Sequence, residues 1–262
     1  MNIMPPLQRA QGKIRASKRK LQQIGESCTP DFASETKQEQ LTRKSSRTAG
    51  ERNGWKRFIS LEPSLKMLAG SYYIPKYNES KPLGEDSHFI CAEKQTFGVA
   101  DGVGGWAKKG IDSGEYAREL MDNAVFAIED QPMGGVNPMA VLNEAFLNTE
   151  AQGSSTACIL TLKGNELKVG VIPGDIVVAG SDGLFDNLYE SEIEELVSQG
   201  VNDGNFPADL ASTIAQFALI NSMDNCAISP FTIAAQEAGV KFIGGKIDDI
   251  TVVVAYIASP DY

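Results

Sequence analysis

The sequence predicts an α+β fold in which an antiparallel β-sandwich is flanked by helices. The predicted elements run as strands, two helices, further strands, more helices and a final strand. This order lacks the strict strand–helix alternation of a doubly wound parallel sheet. Turns that contain Gly or Pro separate the strands, as is typical of antiparallel pairs. With 262 residues, of which 42% are apolar, the chain is long enough for one globular domain and an extension.

The first predicted elements are a hairpin and a pair of helices. In "SHFICAEKQTFGVADG", Phe89 and Cys91 alternate with polar residues, and a second apolar run ends at Asp101, which indicates two strands. Asp112 precedes a segment in which apolar residues recur at helical spacing. Asn137, followed directly by proline, predicts the start of the second helix.

The second half of the chain predicts further strands and helices. The stretch "SSTACILTLKGNELKVGVIPGDIVVAG" is strand-like and is interrupted by two tight turns. Ser191 and Glu194 predict the capping box of a short helix, and helices are predicted over 207–221 and 229–238. The run "ITVVVAYIA" predicts a final, fully buried strand.

The charge is divided unevenly along the chain. Residues 1–57 contain 13 Lys and Arg against 5 Asp and Glu, whereas the remainder contains 11 against 29, for a net charge of −10. The strongly acidic remainder disfavours nucleic acid as a partner and suits a protein that concentrates divalent cations. Solubility alone is the alternative reason for the acidity. No window approaches the ~18 consecutive apolar residues of a membrane span, so we expect no membrane partner.

The basic segment 1–57 is low in large apolar residues, and we expect it to be disordered. It contains no acid before Glu26, which is typical of peptides that direct a protein to an organelle, here the chloroplast or mitochondrion. The run "KIRASKRK" is equally compatible with nuclear import, and a solvated tail without an address is a third interpretation. Cytoplasm or nucleus is therefore the alternative location. The globular domain is predicted over residues 58–262.

Three acids stand at the ends of apolar runs that are far apart in the chain. Asp101 closes "FGVAD", Asp182 follows "DIVVAGS", and Asp248 opens "DDITVVVAYI". If they converge at one end of the sandwich, they repel one another until they take up protons or bind a cation. Oxygen ligands without a Cys or His partner select hard ions such as Mg²⁺ or Mn²⁺. Two such ions can lower the pKa of a shared water and turn it into a nucleophile for a bound phosphate.

Four stretches, "GED", "VADGVGG", "AGSDGLFDN" and "DDIT", occur in this order. Together they resemble the metal-dependent Ser/Thr phosphatases of the protein phosphatase 2C family, most of all its plant-type short-domain branch. The resemblance covers about residues 60–258. It implies a four-layer α-β-β-α fold with two five-stranded antiparallel sheets between helix pairs. It also implies hydrolysis of phosphoserine and phosphothreonine in phosphoprotein substrates.

The resemblance assigns a role to each matching residue. Its implied catalytic residues and direct metal ligands are Asp101, Asp182 and Asp248, with Asp101 bridging two ions. The Gly102 carbonyl would join them, Glu85 and Asp86 would act through water, and Asp186 would serve a weaker third ion. Lys81 stands where the family usually has an arginine that grips phosphate, although lysine lacks the planar fork of arginine.

One departure from the family pattern concerns the proton donor. Many members have a histidine directly after Asp-Gly, whereas this chain has Val103 there. The only histidine, His88, lies on a predicted strand, and we interpret it as structural. Protonation of the leaving group would then fall to water or to another acid.

The second departure is an apparent internal deletion near residue 170. The family has a strand pair containing "GDS" between the segments that correspond to "STACILTLKGNELKV" and "PGDIVVAG", and here Val169-Gly170-Val171 runs directly from one to the other. Loss of interior strands leaves neighbouring backbone groups unpaired, at a cost of about 1–3 kcal/mol for each group that stays buried. Two hypotheses follow, an active phosphatase or a truncated, inactive binding or regulatory protein. The resemblance favours a monomer.

Overall fold

The computed structural model describes residues 65–132, 134–167 and 170–260. The basic segment 1–57 and the domain boundary predicted at residue 58 lie outside the described residues, so the predictions for them remain predictions. The described residues form six strands: β1 (Lys66–Ile74), β2 (Asp86–Cys91), β3 (Thr96–Gly102), β4 (Ser155–Thr161), β5 (Ile176–Gly180) and β6 (Ile250–Ala258). They also form six α-helices: α1 (Ser113–Glu129), α2 (Pro138–Asn148), α3 (Asp182–Phe185), α4 (Glu190–Asn202), α5 (Pro207–Met223) and α6 (Pro230–Glu237).

The strands form two antiparallel sheets that pack face to face. One sheet has the order β1-β6-β5 and the other the order β2-β3-β4. Apolar side chains from both sheets meet in a shared core, among them Met67, Phe97, Leu160, Val177 and Val253. The predicted antiparallel sandwich is therefore confirmed.

Helices cover the outer face of each sheet, which gives the predicted four layers. Ala117, Leu120 and Met121 of α1 pack on Phe89 and Ala100 of the second sheet. On the other side, helices α3 to α5 pack against the outward residues of β5 and β6 through a second cluster: Val178, Leu184, Ile193, Leu210, Ile214, Val252 and Val254. Strand β6 is buried on both faces, as its unbroken run of Val and Ile predicts.

Each sheet has three strands within the described residues, fewer than the five that the family resemblance implies. The connection between β4 and β5 is short. Lys163 pairs with Glu166, and the amide of Val171 donates to the carbonyl of Asn165 at 2.9 Å. The side chains of Leu162, Leu167 and Val171 are buried in the core between the sheets. A compact turn with buried apolar side chains thus joins β4 to β5.

The structure differs from the predicted elements at β1 and at the start of α4. Strand β1 was not predicted, although it pairs with β6 along its whole length, from Lys66 opposite Ala258 to Ile74 opposite Ile250. The predicted cap of α4 is wrong, since the helix begins at Glu190 and the carboxylate of Glu192 accepts from the Tyr189 amide at 2.7 Å. Among the described helices, none is both long and apolar enough to cross a membrane.

Candidate active site

Acids from both sheets meet at one end of the sandwich. Asp86 is the first residue of β2, and Asp101 lies near the end of β3. Asp182 is the first residue of α3, directly after β5, and Asp248 stands just before β6. Because β2, β3, β5 and β6 come from different sheets, this convergence depends on the sandwich and not on any local turn. The three predicted catalytic acids Asp101, Asp182 and Asp248 are therefore brought together.

Asp86 and Asp101 occupy opposite positions on the paired strands β2 and β3. The side chain of Asp86 is buried, and its Oδ2 accepts from the hydroxyl of Thr251 at 2.7 Å. Within the described residues, its Oδ1 has no hydrogen-bond partner. Burial raises the pKa of Asp86 to about 7, against hydrogen bonds from Ser181 and Thr251 that lower it. An ionised carboxylate is thus disfavoured here without a further positive charge.

Asp101 experiences the combined field of its neighbours. Burial, and then the charges of Asp86, Asp182 and Asp248, raise the pKa of Asp101 to about 8. The positive charge of Lys246 opposes this rise. These interactions place the four carboxylates close enough to repel one another, as the strand-end pattern predicted.

Lys246 lies among the acids that stand on α3, at its end and just before β6. Its Nζ is 2.6 Å from Asp182 Oδ2, 2.8 Å from Asp186 Oδ2 and 2.9 Å from Asp248 Oδ2. Burial opposes the charge on Lys246, but the hydrogen bonds to these three acids outweigh it and raise the pKa of its ammonium. No sequence motif predicted a role for Lys246, although only Ile247 separates it from the "DDIT" stretch.

Asp248 also contacts a second lysine. Lys76 Nζ donates to Asp248 Oδ1 at 3.1 Å. Burial works to raise the pKa of Asp248, but hydrogen bonds and charges from Lys246 and Lys76 lower it overall. For Asp186, burial prevails over the hydrogen bond from Lys246, and the pKa is raised.

Asp249 fixes the loop that carries other candidate residues. Its buried carboxylate accepts from the Tyr73 hydroxyl at 3.0 Å, the Lys76 amide at 2.9 Å and the Glu85 amide at 3.2 Å. Gly84 has φ +69°, and a Cβ there would lie 2.1 Å from Asp249 Oδ1, so only glycine fits. No role was predicted for this second acid of the "DDIT" stretch, and its hydrogen bond to the Glu85 amide makes it a positioning residue for Glu85.

Glu85 and Lys81 form an ion pair at the rim of the site. Lys81 Nζ is 2.8 Å from Glu85 Oε1 and 3.4 Å from Asp112 Oδ1. Ser113 also donates to Glu85 Oε1 at 2.8 Å. At Gly102, a Cβ would lie 2.6 Å from the Ser113 carbonyl, so glycine permits β3 to approach the start of α1 closely. The ligand and phosphate-binding roles of these residues remain predictions.

The only histidine of the chain lies on β2, where it contacts β1 and none of the acids. His88 Nε2 is 2.9 Å from Ser71 Oγ, and burial lowers the pKa of the imidazole. Val103 follows the Asp-Gly pair with its side chain partly exposed and its amide donated to the Ser154 carbonyl. These contacts agree with the interpretation of His88 as structural.

The residues fit a pair of hard divalent cations in charge and in donor chemistry. Four carboxylates converge, the pKa values of Asp86 and Asp101 are raised, and Asp86 Oδ1 is buried without a hydrogen bond. Cations of this kind prefer oxygen ligands. As the side chains stand, no three Asp, Glu, His or Cys groups in the described part of the chain are arranged to hold one ion. The ammonium of Lys246 instead occupies the space among Asp182, Asp186 and Asp248.

Known proteins similar to this chain are phosphatases by name. The chain is 41% identical over 245 residues to "Probable protein phosphatase 2C 55" of Arabidopsis thaliana, a match that covers 74% of this chain and 52% of the relative. It is 33% identical over 250 residues to protein phosphatase 2C 24 of Oryza sativa subsp. japonica, covering 74% of this chain and 78% of the relative. No protein-family model matches.

A solved structure gives the same picture of the fold. The X-ray structure of the photosystem II phosphatase PBCP is similar with a TM-score of 0.63 and 27% sequence identity. The similarity covers 72% of this chain and 98% of that one.

The matched region is shorter here than in the relatives. The match to the Arabidopsis relative runs over 245 residues, but the 74% of this 262-residue chain that it covers contains fewer residues than that. That relative therefore contains residues within the matched region that have no counterpart in this chain. A deletion near residue 170 stays a prediction. The chain spans about half of the full length of the Arabidopsis relative, 52%.

Proposed function

This chain belongs to the protein phosphatase 2C family, and we propose that it hydrolyses phosphoserine and phosphothreonine in proteins with the aid of Mg²⁺ or Mn²⁺. The observation that carries the proposal is the convergence of Asp86, Asp101, Asp182 and Asp248 at one end of the sandwich. Acids of this kind repel one another when bare, and a divalent cation is the simplest means to stabilise all of them in the ionised form.

The proposed metal ligands are the three acids Asp101, Asp182 and Asp248 together with the Gly102 carbonyl. Asp186 would serve a weaker third ion, and Glu85 and Asp86 would support the ions through water. When bound, such ions neutralise phosphate charge and lower the pKa of a water so that it can attack phosphorus. The carboxylates of Asp86 and Asp101 would lose their protons as the ions bind, because metal ligands must be deprotonated.

Positive charge at the rim supports the binding of a phosphorylated peptide. Lys81 is held beside the acids by Glu85 and Asp112, with its side chain 18% exposed, so its ammonium is within reach of solvent. We propose that it attracts the phosphate of the substrate as a point charge. The leaving oxygen of the substrate would take its proton from water or from an acid of the cluster, because His88 is hydrogen-bonded to Ser71.

A second function is favoured by the short connection between β4 and β5. Three-stranded sheets, together with a relative that contains additional residues, fit a truncated protein that binds phosphoproteins without turnover. In that case the protein would take up metal and phosphopeptide but release no phosphate. The two functions share the site and differ only in hydrolysis.

The experiment that separates them measures phosphate release from a phosphothreonine peptide and from p-nitrophenyl phosphate, with and without Mn²⁺. For the enzyme, we expect hydrolysis that depends on Mn²⁺ and that falls by about 100-fold or more in Asp182→Asn. Asp122→Asn is the matched control, since Asp122 is an exposed residue of α1 and is not one of the proposed site residues. Bound metal and peptide without phosphate release would instead establish the binding function.

Location and assembly are proposed from the sequence. We propose the chloroplast or mitochondrion as the destination, with cytoplasm or nucleus as the alternative. A fusion of residues 1–57 to a fluorescent protein tests this, because a targeting peptide acts independently of the domain behind it. A monomer is proposed, and light scattering of the purified protein measures its mass.

A further inference from the structure

Lys246 is held in position at its backbone as well as at its ammonium. The Lys246 amide donates to Asn187 Oδ1 at 2.9 Å, and the Lys246 carbonyl accepts from Asn187 Nδ2 at 2.9 Å. Asn187 is buried and follows the "SDGLFD" stretch that carries Asp182 and Asp186. This pair of hydrogen bonds fixes the start of the lysine side chain beside two of the acids that its ammonium contacts.

The ammonium contacts three carboxylates and does not balance their charge. Its distances to Asp182, Asp186 and Asp248 lie between 2.6 and 2.9 Å, which is the range of charge-assisted hydrogen bonds. Together with Lys76, which contacts Asp248, two positive charges face three carboxylates here, and this leaves a net attraction for further cations. The Lys246 side chain is 26% exposed, so its flexible stem has solvent into which it can move.

The proposed function assigns Asp182 and Asp248 to a divalent ion, and Lys246 already contacts one oxygen of each. Asp182 Oδ2 and Asp248 Oδ2 both accept from its Nζ, and Asp248 Oδ1 accepts from Lys76. An ammonium and a divalent cation cannot occupy one position among the same oxygens, because each excludes the other by volume and by like charge.

We propose that the Lys246 ammonium is a tethered competitor that a divalent ion must displace from Asp182 and Asp248. Lys246 then sets the concentration of free metal at which the site fills, and it holds the three acids together in the metal-free chain. This inference rests on the metal site of the proposed function, but it does not require that the chain release phosphate.

The first test measures the reactivity of individual lysines in the wild-type chain. An amine-acetylating reagent is applied at a series of buffered Mn²⁺ concentrations, and acetylation at each lysine is read by mass spectrometry. Displacement predicts that the acetylation rate of Lys246 rises about tenfold as Mn²⁺ fills the site, because the ammonium leaves its three partners and can deprotonate. The exposed Lys241 is the internal control and should keep its rate. An unchanged or slower rate at Lys246 would overturn the proposal.

The second test measures Mn²⁺ binding directly by equilibrium dialysis, starting from metal-loaded protein so that a variant need not fold without metal. Lys246→Gln should reach half-saturation at a free Mn²⁺ concentration about tenfold or more below wild type, since a competing charge is gone. Lys246→Arg keeps the charge and should need at least the wild-type concentration. Lys241 does not contact the acids, so Lys241→Gln removes the same charge at a distance from them. Its half-saturating Mn²⁺ concentration should stay within about threefold of wild type.

Equal or weaker Mn²⁺ binding by Lys246→Gln, compared with Lys241→Gln, would show that Lys246 is only a structural ion-pair partner. Absence of Mn²⁺ binding in both wild type and Lys246→Gln would also overturn the inference. Displacement of Lys246 by Mn²⁺ without any phosphate release would leave the inference intact and refute the proposed phosphatase activity alone.

Discussion

Asp86 and Asp101 lie directly opposite each other on the neighbouring antiparallel strands β2 and β3, and the pKa values of both side chains are raised. Burial is the main cause at both residues, and the charge of Asp86 adds to the rise at Asp101. Like charges in this position destabilise a sheet. The fold therefore keeps a repulsive pair at one end of the sandwich, and protons or cations determine how much stability this pair costs.

The metal-free protein should lose stability as the pH rises from about 4 to about 8. The ordinary pKa of an Asp is 3.8, and the folded state raises that of Asp86 to about 7 and that of Asp101 to about 8. In this window the folded state binds more protons than the unfolded state, so the free energy of unfolding falls as pH increases. Melting temperatures in EDTA at pH 5 and pH 8 should differ by about 5 °C or more.

The control for this pH effect is Asp101→Asn, which removes one of the two opposed charges at similar volume. Its melting temperature should fall less between pH 5 and pH 8 than that of wild type. The same fall in both proteins would assign the pH dependence to other groups.

Asp249→Ala should destabilise the fold strongly. Its carboxylate accepts three hydrogen bonds, from Tyr73, Lys76 and Glu85, and it is 3% exposed. Removal leaves the Lys76 and Glu85 amides without this acceptor, whereas the Tyr73 hydroxyl keeps the Leu83 carbonyl at 2.8 Å. We expect a cost of about 3 kcal/mol or more in the free energy of unfolding measured with urea. Tyr73→Phe removes one of the three bonds and should cost about 1 kcal/mol. Similar losses in the two variants would contradict a bracing role for Asp249.

Gly183→Ala should move Asp182 and Asp186 away from Asp248. A Cβ at Gly183 would lie 2.0 Å from the carbonyl oxygen of Asp249, so α3 would have to move away from the start of β6. We expect a loss of about 1–3 kcal/mol in the free energy of unfolding and weaker Mn²⁺ binding in dialysis. At Gly170 a Cβ would meet no atom within 4 Å, and Gly170→Ala should change neither quantity.

Lys81→Gln should weaken the binding of phosphorylated substrate more than turnover. The lysine lies at the rim beside Glu85 and has no contact with Asp182 or Asp248 among its ion pairs. We expect the KM for a phosphothreonine peptide to rise about tenfold with kcat within about threefold, as loss of a ground-state contact requires. Lys81→Arg should recover the KM, since arginine supplies the same charge in a bidentate form. A fall of kcat at unchanged KM would place Lys81 in the chemical step instead.

Much of the fold could be predicted because its elements carry local signals. The hairpin of β2 and β3, the Asn137 cap of α2 and the apolar run of β6 each contain their pattern within a few residues. Strand β1 escaped prediction because Gly70 and Ser71 interrupt its apolar alternation. Its buried glycine is explained only by a distant contact, since a Cβ there would lie 2.3 Å from the backbone nitrogen of Ala208.

The acids of the site were predicted for a similar reason, whereas the roles of Lys246 and Asp249 were not predicted. Each of Asp101, Asp182 and Asp248 adjoins an apolar run in a recognisable motif. The role of Lys246 depends on three acids, two of them about sixty residues earlier in the chain. That of Asp249 depends on the loop after β1. No local pattern specifies such pairings, because the tertiary fold alone brings the partners together.

The position of β6 has a consequence for how the polypeptide acquires its shape. Strands β1 and β5 touch only through β6, which comes last of the six in the order of synthesis. Until residues 250–258 leave the ribosome, β1 and β5 have no partner strand, whereas β2, β3 and β4 already have one another. Assembly of the β1-β6-β5 sheet is thus a late event, and a nascent chain halted before Ile250 would lack that sheet and the strand that brings Asp248 to the other acids.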